Sequence, residues 1–339
     1  MKYSLGEVPR LSSVVSIALA AALSFVAAPA SAEDGTEKGT FSILFENDLF
    51  FNTDHDYTNG VELTYTTAPQ DTPEWAVRVA HWLPFFTANT DVRTRYAIGQ
   101  SIFTPSDLSN PNPPPTARPY AGFLYGAFGL VGDSGTHLDQ LQVTLGVVGP
   151  DSLAEQSQTW IHGIIRGNKP LGWDTQLHNE PAVILQYERS VKLIPPKSLL
   201  GLIFDAEPHY GIAVGNVYDY VNAGAMARLG FNLPQDYGPM RIEPSLPGSN
   251  FFEPNGALSA YVFAGVDGRA IARNLFLDGN TFESSRSVQK MNLVGDFEFG
   301  AAITFDRMRI AFTHVIRSRE YSTQTKADQF GAVDLSFRF

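Results

Sequence analysis

The sequence predicts an all-β protein: a transmembrane antiparallel β-barrel of about twelve strands, with a short helix near residues 151–166 carrying site residues. Three observations point there. Apolar and polar residues alternate with period two in many segments of about ten residues, as in a strand with lipid on one face and a polar lumen on the other. Aromatics reach 12% and charged residues only 17% of 339 residues, an odd balance for a soluble enzyme. Beyond the N-terminus no run of about 18 apolar residues occurs, so any membrane crossing must be made by strands.

The N-terminus reads as an export signal. Lys2 and Arg10 supply a basic start, Val14 to Ala28 an apolar run, and Ala30-Ser31-Ala32 a small-residue cleavage site. That run is short for about 30 Å of hydrocarbon, which disfavours a membrane anchor. Residues 1–32 are therefore expected to be a signal peptide, and 33–339 an outer-membrane barrel domain. The net charge of −11 argues against a nucleic-acid partner. The absence of cysteine excludes a disulfide scaffold, a Cys-ligated zinc and a thiol nucleophile.

The expected strands are 39–48, 57–67, 94–103, 120–133, 137–148, 181–193, 203–214, 219–232, 258–274, 290–306, 308–320 and 329–339. Each rests on alternation. Phe41, Ile43 and Phe45 share one face, Val61, Leu63 and Tyr65 another, and Val333, Leu335, Phe337 and Phe339 a third. Twelve is an even number, as single-chain bacterial barrels have. The last strand stops on Phe339, resembling the aromatic end of outer-membrane strands. Between strands, Glu74 to Leu83 fits a short helix. Pro150 to Arg166 fits a longer one, with Ser152 and Glu155 spaced as a capping box and Ile161, Ile164 and Ile165 as an apolar stripe. Asn110 to Pro119 is a stiff proline-rich loop, and 233–257 a long loop.

The densest polar cluster lies between the first two strands. Glu46, Asp48, Asp54 and Asp56 fall within eleven residues, and such hard oxygen ligands suit Ca²⁺. By phase, Asn47 and Asn59 end the lipid-facing rows, while Thr58 and Asp48 are expected on the opposite face. On the predicted helix, Gln158 and His162 are four apart and so address one point. Imidazole is the usual general base at neutral pH. The other histidines, His314 among them, have no spacing partner. No G-x-S-x-G elbow is present, and Ser152 reads as a cap rather than a nucleophile. Water activated by His, with a metal polarising a carbonyl, requires neither Ser nor Cys.

Phe45-Glu46-Asn47-Asp48, then Thr53-Asp54 and Tyr57-Thr58-Asn59-Gly60, resemble the opening signature of the outer-membrane lipid A 3′-O-deacylase family. Gly99-Gln100, Phe103-Thr104-Pro105 and Arg118-Pro119-Tyr120-Ala121-Gly122 resemble its next blocks. Gly146, Gly149-Pro150, Gln158, His162, Gly172-Trp173, Gln176-Leu177 and Asn179-Glu180-Pro181 resemble its central block.

The resemblance implies a Ca²⁺-dependent ester hydrolase, expected as a monomer, that removes the 3′-linked acyl or acyloxyacyl chain of lipid A in the lipopolysaccharide of the outer leaflet. It implies His162 as base, Asp48 as metal ligand, and Asn47, Thr58 and Gln158 as positioning or oxyanion groups, all converging near the rim. Some members carry a basic residue after the Thr-Pro block, whereas Asp107 to Thr116 here contains no Lys or Arg. Gly163 to Lys169 includes Arg166 and Asn168 but no carboxylate, which leaves Asp174 or Glu180 to orient His162. The alternatives are a non-enzymatic barrel, either pore or structural, with a wide lumen and no convergent site, or a catalytically silent homologue.

Overall fold

The computed structural model describes residues 38–51, 56–86, 89–165, 169–242 and 248–339. The expected signal peptide, residues 53–55 of the acidic loop, and Arg166 and Asn168 lie outside the described residues.

The strands are β1 (Thr40–Asn47), β2 (Asp56–Thr66), β3 (Asp91–Thr104), β4 (Ala121–Asp133), β5 (His137–Val148), β6 (Glu180–Val191), β7 (Ile194–Leu199), β8 (Leu202–Gly215), β9 (Tyr218–Phe231), β10 (Leu258–Asn274), β11 (Leu293–Phe305), β12 (Met308–Arg317) and β13 (Asp328–Arg338). Each strand pairs antiparallel with the next in sequence, except β6 with β7, and β1 pairs with β13. β8 pairs with β6 along Ile184↔Gly215 to Ser190↔His209 and with β7 along Ile194↔Ala206 to Leu199↔Leu202. β6 and β7 are thus two lengths of one stave, and the barrel is closed and twelve strands round. The expected strand 181–193 is the first of these lengths.

Period-two alternation sorts the side chains by solvent. On β3, Tyr96 and Ile98 lie on the outer row and are 41% and 58% exposed, whereas Arg93 and Arg95 point inward and are buried. The same division holds on β10, where Val262 and Val266 face out and Asp267 and Arg269 face in.

The lumen is filled. Arg228 sits among Asp205, Glu207 and Asp236, while Arg309 bridges Asp236 at 2.8 Å and Asp334 at 2.9 Å. Removing charge from water costs several kcal/mol per ion, so each such charge must meet an opposite one. The expected long loop after β9 turns inward and supplies Asp236, Arg241, Phe251 and Phe252 to this interior, all buried. Arg93 lies 4.3 Å from the Phe251 ring and Arg309 5.1 Å from that of Phe252.

A short helix, Leu275–Asp278, fills the opposite end of the barrel, with Phe276 stacked on Phe103 at 4.2 Å. A void of about 30 Å³ remains beside Glu62 and Tyr125, about the space of one water. Buried side chains thus occupy much of the interior between the described strands.

Helix α1 (Glu74–Trp82) lies where expected, against the outer wall, with Trp75 stacked on Phe128. The two rims differ. One carries the turns 134–136, 200–201 and 306–307 together with the long connections 67–90, which holds α1, and 232–257, whose described residues turn into the lumen. The other carries the loops 105–120, 149–179, 275–292 and 318–327. The site residues gather at this loop-bearing rim.

Candidate active site

Helix α2 (Ala154–Ile165) begins later than the spacing predicts. Pro150–Ser152 is a 3₁₀ turn, and Leu153 adopts φ 60° before the helix starts. The capping box does not form. Ser152 is fully buried and its hydroxyl donates back to Gly149 O at 2.6 Å, while Glu155 is exposed. Ser152 O accepts from Gln100 Nε2 at 2.6 Å, which ties the turn to β3. Gly122 on β4 permits this approach: a Cβ there would lie 2.1 Å from Ser152 Oγ and 2.2 Å from Ala154 Cβ. The helix start is thereby pressed onto the outside of the barrel wall.

Among the described side chains of α2, the buried stripe is Ala154, Gln158 and His162, four apart. Ile161 is half-buried, and Trp160 is 70% exposed. The helix turns its polar groups toward the protein and an aromatic toward its surroundings, as suits an element at a membrane surface.

Gln158 is 2% exposed, and Trp173 Nε1 donates to its Oε1 at 2.9 Å. An indole nitrogen only donates, so the atom facing it must be the amide oxygen. The amide nitrogen of Gln158 has no hydrogen-bond partner among the described residues. It is a fixed, buried donor one helical turn from His162. Trp173 is held in turn by Tyr120, ring centroids 5.0 Å apart, in a cluster with Ile102, Leu108 and Ala154.

The strand half of the site sits at the same level. The register runs Asn47↔Asn59, Asn59↔Ile102 and Ile102↔Gly122 across β1 to β4. Asn47 and Asn59 end outward rows as expected but are covered, each 5% exposed. Thr58 departs from the expected face. A bulge between Tyr57 and Asn59 breaks the alternation. It turns Tyr57 into the lumen, against Phe103 and Phe330, and turns the Thr58 hydroxyl to that of Thr104, 2.7 Å away. Thr104 continues the outer row of β3 one position past Ile102. Thr58 thus meets the outer row of β3 at Thr104, next in that row to Ile102 of the Trp173 cluster.

Asp48, buried at 2%, opens the 3₁₀ turn Asp48–Phe51 after β1. That turn bends back over the outer wall, its Phe50 ring 6.1 Å from Phe45 and 5.7 Å from Phe312.

The acidic cluster does not act as one unit. Glu46 points into the lumen and pairs with Arg241 at 3.1 Å, and Arg241 also meets Glu298 at 2.7 Å. Burial opposes the Arg241 charge, but Glu46 and Glu298 outweigh it and hold the guanidinium above its usual pKa. Glu180 is likewise engaged elsewhere. Its carboxylate accepts from Asn216 Nδ2 at 2.8 Å, Asn280 Nδ2 at 3.1 Å and Thr281 N at 2.7 Å, which removes it as the group orienting His162. Asp174 is exposed at the rim.

For a cation, no three His, Asp or Glu side chains among the described residues are arranged so that they could hold a metal ion. The Asp48 carboxylate, Asn47 amide and Thr58 hydroxyl are nonetheless hard oxygen donors of the kind Ca²⁺ accepts.

Sequence reasoning missed the roles of Trp173 and Thr104. A β-bulge and an indole crossing from another loop leave no periodic trace. It also missed His314, which faces out on β12 opposite Gly331, itself opposite Asn47.

The sequence profile of the outer membrane protein LpxR family matches residues 17–339, nearly the whole chain. The chain belongs to the LpxR family of outer-membrane proteins. Its outer-membrane location follows from that membership and from the barrel. No curated protein sequence matches. Among solved structures, LpxR from Salmonella typhimurium is 20% identical, with a TM-score of 0.72 over 88% of this chain and 100% of that one. The β domain of the Bordetella autotransporter BrkA is 7% identical, with a TM-score of 0.45 over 89% and 100%. The translocator domain of NalP from Neisseria meningitidis is 9% identical, with a TM-score of 0.36 over 97% and 96%. The likeness to LpxR from Salmonella is therefore one of fold.

Proposed function

We propose that the protein is a lipid A deacylase, a Ca²⁺-dependent ester hydrolase that removes the 3′-linked acyl chain of lipid A from the outer leaflet. The observation that carries this reading is the buried Gln158–His162 pair, pressed by α2 against the outer wall with the Gln158 amide nitrogen unsatisfied. A structural helix would bury apolar residues there, because an unpaired buried donor costs about 1–3 kcal/mol. Outer-membrane barrels carry short turns inside and longer loops outside, and in this reading the rim of loops 105–120, 149–179, 275–292 and 318–327, opposite the turns 134–136, 200–201 and 306–307, is the external one. The site then lies on the lipid side of the wall at headgroup level, where a membrane ester is found.

In this reading His162 accepts a proton from a water as its oxygen attacks the ester carbonyl carbon. The carbonyl oxygen becomes an oxyanion and receives a hydrogen bond from Gln158 Nε2, a group fixed beforehand by Trp173. Collapse breaks the carbon–oxygen bond to the sugar, and His162 returns the proton to the 3′ oxygen. The products are a free fatty acid and a sugar hydroxyl. Asn47 and Thr58 position the substrate beside the helix. A Ca²⁺ ion held by Asp48, with Asn47 and Thr58 as neutral oxygen donors, would supply further polarisation of the carbonyl. Helix α2 lies against β3 and β4, beside the β1–β2 pair that carries Asn47, Asp48 and Thr58.

The test is to incubate the purified protein in detergent with lipid A and Ca²⁺ and weigh the products. Loss of the 3′-linked acyl mass, abolished by His162→Ala and by EDTA, supports the reading. Intact lipid A under every condition sinks it.

A further inference from the structure

A cleft of about 540 Å³ opens at the loop-bearing rim beside the first turn of α2. Small-molecule sites are typically about 300–1,000 Å³. Three separate stretches of chain build it: Glu155 on α2, Trp173, Asp174, Gln176 and His178 on the return to β6, and Arg286 from the loop after β10. Carboxylates, an amide, an imidazole and a guanidinium thus surround an indole. Such planar polar groups hydrogen-bond neighbouring hydroxyls. They offer little to an acyl chain.

Arg286 sets the charge of the ligand. Its Nη1 donates to Pro113 O and its Nη2 to Asn112 Oδ1, both at 2.7 Å and both neutral acceptors. No carboxylate among the described residues lies within ion-pair distance of it, although Glu155 and Asp174 share the cleft and His178 there pairs with Glu283 at 3.2 Å, so the guanidinium is anchored by neutral acceptors with further N–H donors available. A guanidinium so placed fits the two oxygens of a carboxylate or phosphate.

The cleft shares a wall with the proposed catalytic helix. The Trp173 indole that lines it is the donor to Gln158. Glu155 and His162 are seven residues apart on α2, about 10 Å along its axis.

We infer that this cleft holds an anionic saccharide attached to the sugar that bears the scissile ester. Arg286 takes its carboxylate or phosphate, and Glu155, Asp174 and Gln176 take its hydroxyls. The inference rests on the ester-hydrolase reading and assigns the polar half of that substrate.

The experiment uses the full-length protein in detergent with Ca²⁺. The probe is the water-soluble, fully deacylated anionic oligosaccharide of lipopolysaccharide, its binding measured by saturation-transfer NMR and calorimetry. Binding is expected to be alike in wild type and His162→Ala, and about tenfold weaker in Arg286→Ala. Asn112→Ala removes one anchor of Arg286 and keeps its charge, so it is expected to retain most of the binding. In turnover, wild type is expected to have a lower KM for glycan-bearing lipid A than for glycan-free lipid A, and Arg286→Ala to lose that difference.

Equal oligosaccharide binding by wild type and Arg286→Ala overturns the inference. So does a loss in Asn112→Ala as large as in Arg286→Ala, which would assign Arg286 to loop support alone. Inorganic phosphate competing as strongly as the oligosaccharide also overturns it, by revealing a general anion site. Oligosaccharide binding without any hydrolysis of lipid A would defeat the hydrolase reading and leave the saccharide site standing. Hydrolysis without such binding would do the reverse.

Discussion

The lumen and the outer-wall site both bury polar side chains, and they do so in opposite ways. In the lumen, charges are matched. Arg228, Arg309 and Arg317 each meet buried carboxylates within 3.0 Å, and Arg241 meets Glu298 at 2.7 Å. Behind α2, a neutral amide is held on one side only, and the helix buries an imidazole beside it. A satisfied network resists change and has nothing left to offer a substrate. A partly satisfied one costs stability and keeps a donor available. In the proposed mechanism the contrast separates what holds the barrel from what acts.

The largest expected break in this comparison is His162→Ala. Removing the proposed general base should lower kcat by about 10²–10⁴-fold, with the unfolding transition in urea little moved. Loss of folding in place of loss of rate would make His162 a packing residue.

Next is Arg228→Leu, which leaves Asp205, Glu207 and Asp236 facing one another without their cation. Breaking such a buried pair should destabilise the barrel by about 3–5 kcal/mol, read by urea titration of its heat-modifiable gel band, while the folded fraction keeps its kcat. A barrel of unaltered stability would show that the lumen network is dispensable.

Gln158→Ala should lower kcat about 10²–10³-fold with KM nearly constant, the signature of an interaction made in the transition state. A change confined to KM would instead make Gln158 a ground-state contact.

Asp48→Asn should raise the Ca²⁺ concentration for half-maximal activity about tenfold, since fewer ligand charges mean a weaker site. Recovery at high Ca²⁺ is the expected result, and an unchanged Ca²⁺ dependence would remove Asp48 from the metal site.

The smallest effect is expected from Trp173→Phe. It removes the bond that fixes the Gln158 amide, worth about 1 kcal/mol, so kcat should fall roughly fivefold.

The barrel was highly legible. Strand limits such as 137–148 and 258–274 coincide with β5 and β10, because lipid outside and charge inside impose a strict period of two. The helix was legible in place and less so in detail. Local spacing suggested a Ser152 cap, but close packing on Gly122 took the serine for the preceding turn. The long loop after β9 gave no sign that it would fill the lumen, since Asp236 and Arg241 find their partners on distant strands.

Alternation, an i,i+4 pair and a set of ordered motifs were enough to determine a twelve-stranded outer-membrane barrel of this family and to single out Asn47, Asp48, Thr58, Gln158 and His162. Tertiary structure decided which of the polar residues are available. It took Glu46 into the lumen and Glu180 into a loop tie, turned Thr58 outward at a bulge, and fixed the Gln158 amide with an indole from fifteen residues away. The physical reason is reach. Periodicity reports which solvent a residue faces, whereas the partner that satisfies a buried polar group comes from another part of the chain and leaves no mark on the local pattern.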